Sequence, residues 1–137
     1  MGEVSAEIIL KNGADLIRLN DGRISDNDVR SVTVTAVVDT GATTLVISEN
    51  LRKKLGLAVV GVRTVTLAGG SKASCEVAEP VQICWKNRTS LIRPWVMPYE
   101  DEVLLGVIPL EEMDLIVDPV NRSLAGAHGE EMMGRIK

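Results

Sequence analysis

Phenylalanine is missing from this 137-residue chain, and one Tyr and two Trp bring the aromatic share to only 2%. With 45% of residues hydrophobic, the core must come from Val, Ile, Leu, Ala and Met, a set that suits the pleated faces of strands. Histidine occurs once, as His128, which argues against a multi-histidine metal site or a Ser/His/Asp triad anchored in the core. His128 lies in a Gly-containing end segment and reads as a solvated tail residue. Cysteine occurs only as Cys75 and Cys84, and two such thiols are expected to be free and buried in a reducing compartment. There is no basic excess: the net charge is −4 and the pI about 5.0, so neither nucleic acid nor an anionic membrane is an expected partner. No apolar run approaches the roughly 20 residues of a spanning helix. The start, Met1-Gly2-Glu3-Val4-Ser5-Ala6-Glu7, lacks the basic and apolar regions of a signal peptide, and the expected compartment is the cytoplasm.

The length suits one domain, expected over residues 1–125, with residues 126–137 as a mobile tail. Val4 to Leu10 reads as a strand stopped by Asn12-Gly13, and residues 11–30 as a loop excursion with at most a helical turn. Ser31 to Val38 alternates and then becomes unbroken, a strand that starts half exposed and ends buried. Leu45-Val46-Ile47 is a short strand. Ser48 is placed to cap a two-turn helix that Gly56 stops, with Leu51 and Leu55 facing inward. A hairpin follows around Ala68-Gly69-Gly70-Ser71, and a second is expected from Val81–Trp85 and Leu91–Met97 around Lys86-Asn87-Arg88. Trp85 and Trp95 read as packing residues. Gly69-Gly70-Ser71-Lys72 lacks the spacing and helical context of a phosphate loop. Glu100-Asp101-Glu102 reads as a solvated acidic loop, and Pro109 opens a short helix.

One stretch violates its own surroundings: Val37-Val38-Asp39-Thr40-Gly41-Ala42-Thr43-Thr44-Leu45-Val46-Ile47 sets a single acid within an apolar, hydroxyl-bearing run. Such a carboxylate is expected to be mostly buried, and burial of an ion is costly unless neighbours hydrogen-bond it. That cost points to a task for Asp39. Gly41 allows a tight turn that a side chain would block. The structural alternative is a capped turn carboxylate in an inert barrel.

Asp39-Thr40-Gly41-Ala42 after a hydrophobic strand, a glycine-tipped hairpin, and Leu104-Leu105-Gly106 before a short helix together resemble the retropepsin-like aspartic proteases, the single-domain group that includes small bacterial members. The likeness spans roughly residues 30–125. Asp-Thr-Gly alone is a weak signal; Gly106, 67 positions after Asp39, makes the joint signal stronger. The resemblance implies an all-β fold, a closed β-barrel with one or two short helices. It also implies an endopeptidase that needs no cofactor or metal. Asp39 would be catalytic, with Thr40, Gly41 and Ala42 as its loop. Leu104, Leu105 and Gly106 would pack beneath that strand, and Leu67, Ala68, Gly69, Gly70 and Ser71 would form a flap over a peptide or protein substrate. Because the chain has one Asp-Thr-Gly, a two-carboxylate mechanism implies a homodimer with Asp39 from each subunit on the two-fold axis. The flap tip lacks a large hydrophobic anchor, and the 11–30 excursion is an addition to the family's minimal pattern. The alternative function is a non-catalytic, protease-like module that binds a peptide or protein.

Overall fold

The computed structural model describes residues 3–98 and 101–136. Met1 and Gly2, and Tyr99 and Glu100 at the start of the expected acidic loop, lie outside the described residues. Strand β1 (Ser5–Asn12) leads into helix α1 (Gly13–Asn20), and a 3-10 turn (Asp26–Asp28) precedes β2 (Ser31–Val38). Beyond Asp39 come β3 (Leu45–Ser48), α2 (Glu49–Leu55) and the hairpin of β4 (Val59–Thr66) and β5 (Lys72–Ala78). The second half holds β6 (Val81–Trp85), β7 (Arg88–Ile92), β8 (Trp95–Met97), β9 (Val103–Leu105) and α3 (Val107–Glu112). A final pair, β10 (Leu115–Asp118) and β11 (Ser123–Gly126), stands apart from the main sheet. That sheet has nine strands in the order β4-β5-β8-β3-β9-β2-β1-β6-β7.

The protein is mostly β, but the expected closed barrel is not formed. Strands β4 and β7 form the two ends of the sheet and, among the described residues, do not pair with each other, so it curls into half a barrel. Two contacts occupy the region where closure would join them: Glu112 Oε1 accepts the N–H of Leu91 at 3.3 Å, and the Arg63 guanidinium stacks over the Trp95 ring, 5.1 Å from its centroid. A carboxylate thus takes an edge donor that a neighbouring strand would otherwise need. Among the described residues the helices number three rather than one or two.

The additional helix is α1, within the stretch expected as a loop. Asn12 is the cause: its side-chain oxygen accepts from Asp15 N at 3.0 Å, and its amide donates to Leu55 O at 2.8 Å. Asn12 therefore acts as a helix N-cap as well as closing β1. Asp15, buried beneath the helix, accepts from Arg30 Nε at 2.8 Å and from Arg18 Nη1 at 2.8 Å. The hydrogen bonds from Arg30 hold its carboxyl well below the usual carboxylate range. Helix α2 has the expected ends: Ser48 Oγ accepts from Leu51 N at 3.1 Å, and Gly56 adopts φ +67°.

The expected strand Leu91–Met97 splits at Arg93-Pro94. Its first part belongs to β7, paired with β6, while β8 crosses to run parallel with β3. Arg88, expected at a hairpin turn, is instead 2% exposed, and its guanidinium donates to Met113 O at 2.9 Å and Gly129 O at 2.6 Å, and also to Asp114 O and Glu131 O. A buried cation is tolerated here because four carbonyl oxygens replace its hydration. These bonds hold the segment after Gly126 against the α3–β10 corner. His128, about half exposed, also meets Asp114 there, at 2.7 Å.

The core is aliphatic, as the composition requires. Ile8, Leu10, Leu45, Ile47, Leu55 and Leu105 are at most 1% exposed, and each fully buried side chain of this size contributes on the order of 1.5–3 kcal/mol. Cys75 is buried, Cys84 half-buried, and both are free. Burial raises both thiols above the usual cysteine range.

Candidate active site

Strand β2 ends at Val38, and the chain turns at once. Val38 N donates to Val4 O at 2.8 Å and Asp39 N to Leu105 O at 3.0 Å, so the aspartate backbone is anchored on both sides before the loop begins. Within the loop Gly41 N donates to Asp39 Oδ1 at 2.8 Å, and Ala42 N to Asp39 O at 3.1 Å. A Cβ on Gly41 would lie 3.1 Å from Asp39 Oδ1, pressing on the carboxylate it now supports. Glycine therefore leaves the carboxylate undisturbed, where a methyl group would push it by a few tenths of an ångström.

Asp39 is half-buried and its neighbours Thr40 and Gly41 are exposed, which corrects the expectation of a mostly buried acid. Val37 and Val38 are likewise only half-buried. The residues that follow Asp39 cover nothing: Thr40 and Gly41 are themselves exposed, so solvent reaches the carboxylate. Among the described residues Asp39 Oδ2 receives no hydrogen bond, and the Thr40 hydroxyl makes none.

The loop is braced by residues from far along the chain. Strand β9 lies between β2 and β3, parallel to the first, with Val38 opposite Leu105, and antiparallel to the second, with Leu45 opposite Leu105. Leu104 and Leu105 thus stand beside the Asp39 strand in the same sheet, and Leu105 is fully buried. Gly106 N donates to Thr44 O at 3.1 Å, Val107 N to Ala42 O and Ile108 N to Thr43 O, both at 2.9 Å. The first N–H groups of α3, which have no partner inside a helix, are thereby satisfied by the loop carbonyls. Gly106 permits this approach: a Cβ there would meet Ala42 O and Thr44 O at 2.5 Å and Thr44 N at 2.7 Å.

The hairpin tip is held by its own turn, with Leu67 N donating to Ser71 O at 2.7 Å, Gly70 N to Leu67 O at 2.9 Å, and Gly70 at φ +88°. Leu67, Ala68, Gly69, Gly70 and Ser71 are all exposed. The structure therefore brings Asp39, Thr40, Gly41 and Ala42 together with Leu104, Leu105 and Gly106. Among the described residues, the hairpin tip makes no hydrogen bond to either group.

Two features near the loop carry no signal that the sequence reading used. Thr44 is 3% exposed and its hydroxyl lacks a partner among the described residues. Beyond Thr43 and Thr44 opens a groove of about 670 Å³ between β4 and β7. The unbroken valines Val59-Val60-Gly61-Val62, which lack the alternation of a half-buried strand, were the available sign of an edge.

A sheet that places an aspartate on a short glycine turn, braced by a hydrophobic-hydrophobic-glycine strand inserted beside it, defines a β-rich domain of the aspartic protease class. A family model described as aspartyl protease matches residues 21–107, well over half of the chain, and the chain belongs to that family, of the retropepsin-like kind. A search of curated proteins gave no match.

Proposed function

We propose that this protein is an aspartic endopeptidase that acts as a homodimer, with Asp39 of each subunit meeting on the two-fold axis. The observation that carries the reading is the Asp39 carboxylate itself: Oδ1 is fixed by Gly41 N–H at 2.8 Å, while Oδ2 is left without a donor on a solvent-reached loop. Two carboxylates held close together share one proton and titrate as a unit. The ionised member takes a proton from a water, whose oxygen bonds to the peptide carbonyl carbon. The protonated member donates a hydrogen bond to the carbonyl oxygen as charge develops there. Breakdown of the tetrahedral intermediate breaks the C–N bond, and a carboxyl proton passes to the leaving amine.

In this reading Thr40 reaches across to its counterpart and Gly41 and Ala42 shape the loop. Leu104, Leu105 and Gly106 hold the loop in place. The hairpin tip from Leu67 to Ser71 closes over an extended peptide and limits water access. The cytoplasm is the proposed compartment. A second reading, a protease-like module that binds peptides without cutting them, draws support from the groove between β4 and β7, which has no need of Asp39.

The test is sedimentation together with digestion of a peptide library between mildly acidic and neutral pH. The expected result is a dimer and cleavage, with Asp39→Asn abolishing cleavage while the circular dichroism spectrum stays unchanged. A monomer at high concentration that cuts no library member overturns the protease reading. Cleavage that survives in Asp39→Asn removes Asp39 from the chemistry.

A further inference from the structure

The groove beside Thr43 and Thr44 has an unusual wall. It is lined by four consecutive residues of β4, Val60 to Arg63, and by Leu91 and Ile92 of β7 followed by Arg93. Successive side chains of a strand point to opposite faces, so a groove bounded by one face would meet every second residue. Val60 lies in a bulge of the β4–β5 pairing and Gly61 carries no side chain, so the backbone edge of β4 reaches the groove there. Among the described residues neither outer edge is paired with another strand. Unpaired strand edges present a row of N–H and C=O groups that an extended chain can satisfy.

One of those edge positions is already filled in a telling way. Glu112 Oε1 accepts from Leu91 N, placing a carboxylate oxygen on an N–H that a neighbouring strand's carbonyl would take. Apolar contact surface lies alongside: Val62 is 70% exposed, Val60 52%, Leu91 56% and Ile108 47%. The charge of the groove opposes that of the molecule. Arg63 and Arg93 line it against the single carboxylate of Glu112, while the chain as a whole carries −4. Among the described residues neither arginine is in an ion pair with a carboxylate; Arg63 rests on Trp95 instead.

From this we infer that the β4–β7 groove is a docking site for an extended, acidic segment of a partner polypeptide. The segment adds as a strand to the open edges, with alternate aliphatic side chains against Val60, Val62 and Leu91 and carboxylates toward Arg63 and Arg93. Asp39 does not line the groove, although Thr43 and Thr44 of its loop do, and docking there does not depend on its chemistry.

The experiment uses the full chain carrying Asp39→Asn, so that the probe is not cut, and fluorescein-labelled (Val-Glu)4 and (Val-Lys)4 peptides. Anisotropy should show (Val-Glu)4 binding at least about tenfold more tightly, and the double variant Arg63→Glu, Arg93→Glu should reverse that preference. Hydrogen exchange should slow at Val60–Arg63 and at Leu91–Arg93 on adding (Val-Glu)4. Equal binding of the two peptides, no binding, or protection confined to the Asp39 loop and the hairpin tip overturns the proposal. So does a groove found filled by a second copy, seen as a dimer that this double variant dissociates. Cleavage by the unmodified chain is scored separately: binding without cleavage leaves the groove standing and removes the protease reading, and cleavage without binding does the reverse.

Discussion

Replacing Gly106 with alanine isolates the brace under the Asp39 loop. Gly106 has φ −94° and ψ −170°, an extended backbone that alanine adopts freely, so the substitution acts only through the added methyl group. That methyl would sit 2.5 Å from Ala42 O and from Thr44 O, and 2.7 Å from Thr44 N. All three are backbone atoms, and none can swing aside as the end of a side chain could. Overpacking of this kind costs roughly 1–3 kcal/mol. Relief requires the loop to move away, and that movement breaks the bonds from Gly106, Val107 and Ile108 to Thr44, Ala42 and Thr43. At about 1 kcal/mol each, losing all three costs about 3 kcal/mol, so by either route the penalty is on the order of 3 kcal/mol, a large part of the roughly 5–15 kcal/mol that stabilises an ordinary domain. With a urea slope of about 1–3 kcal/mol/M, the unfolding midpoint should fall by more than about 1 M. In whatever fraction stays folded, a loop displaced by about 1 Å should lower peptide cleavage on the order of 100-fold. Gly134→Ala is the control, because a Cβ there meets nothing within 4 Å. A Gly106→Ala midpoint equal to that of the control would refute the account.

Asp15→Asn should destabilise by about 2–3 kcal/mol, a value set below that for a fully buried pair because Arg18 and Arg30 are close to half exposed. Since the folded protein depresses the Asp15 carboxyl, its contribution is complete above the unfolded value of about 3.9 and declines as pH falls toward the folded value. Urea midpoints of Asp15→Asn should therefore change less than those of the unmodified chain between pH 5 and 2. Arg88→Met leaves the buried Met113 carbonyl without its donor and Asp114 O with only the Ala127 N–H, and should cost about 3 kcal/mol, with faster hydrogen exchange at Ala127 as that corner loosens. The Asp114 carboxyl is held below its ordinary value by the Met133 N–H and by His128. The Met133 amide should therefore keep its protection factor down through the usual carboxylate range and lose it only at lower pH; protection already lost within the usual carboxylate range would exclude that contact.

What could be read in the sequence depended on how local each cause was. Ser48 and Gly56 bound α2 through contacts within a few residues, and the aliphatic core followed from composition. Asn12 was ambiguous because a turn former and an N-cap are the same residue, and the deciding partners, Asp15 and Leu55 O, include one 43 positions away. Arg88 read as a turn residue since the carbonyls that bury it come from Met113 onward. The split at Arg93-Pro94 and the open edge both depend on where β8 crosses to meet β3, which no short window contains. The Asp39 loop was visible as a motif, but its half-burial follows from the exposure of Thr40 and Gly41, which the apolar run around them did not show.

The place of β9 has a consequence for the order in which the molecule is made. Strands β2 and β3 are near neighbours in sequence, yet the structure keeps them apart with a strand from the far end of the family match, and Leu105 lies 67 positions beyond Val38. A chain emerging from the ribosome holds Asp39 long before it holds the segment that fixes it. Until Val103–Leu105 slides between its two hosts, the acidic loop has no floor. The corner around Asp39 is therefore completed only once the chain has been made through Leu105, when eight of the nine strands of the sheet that holds it have already been made.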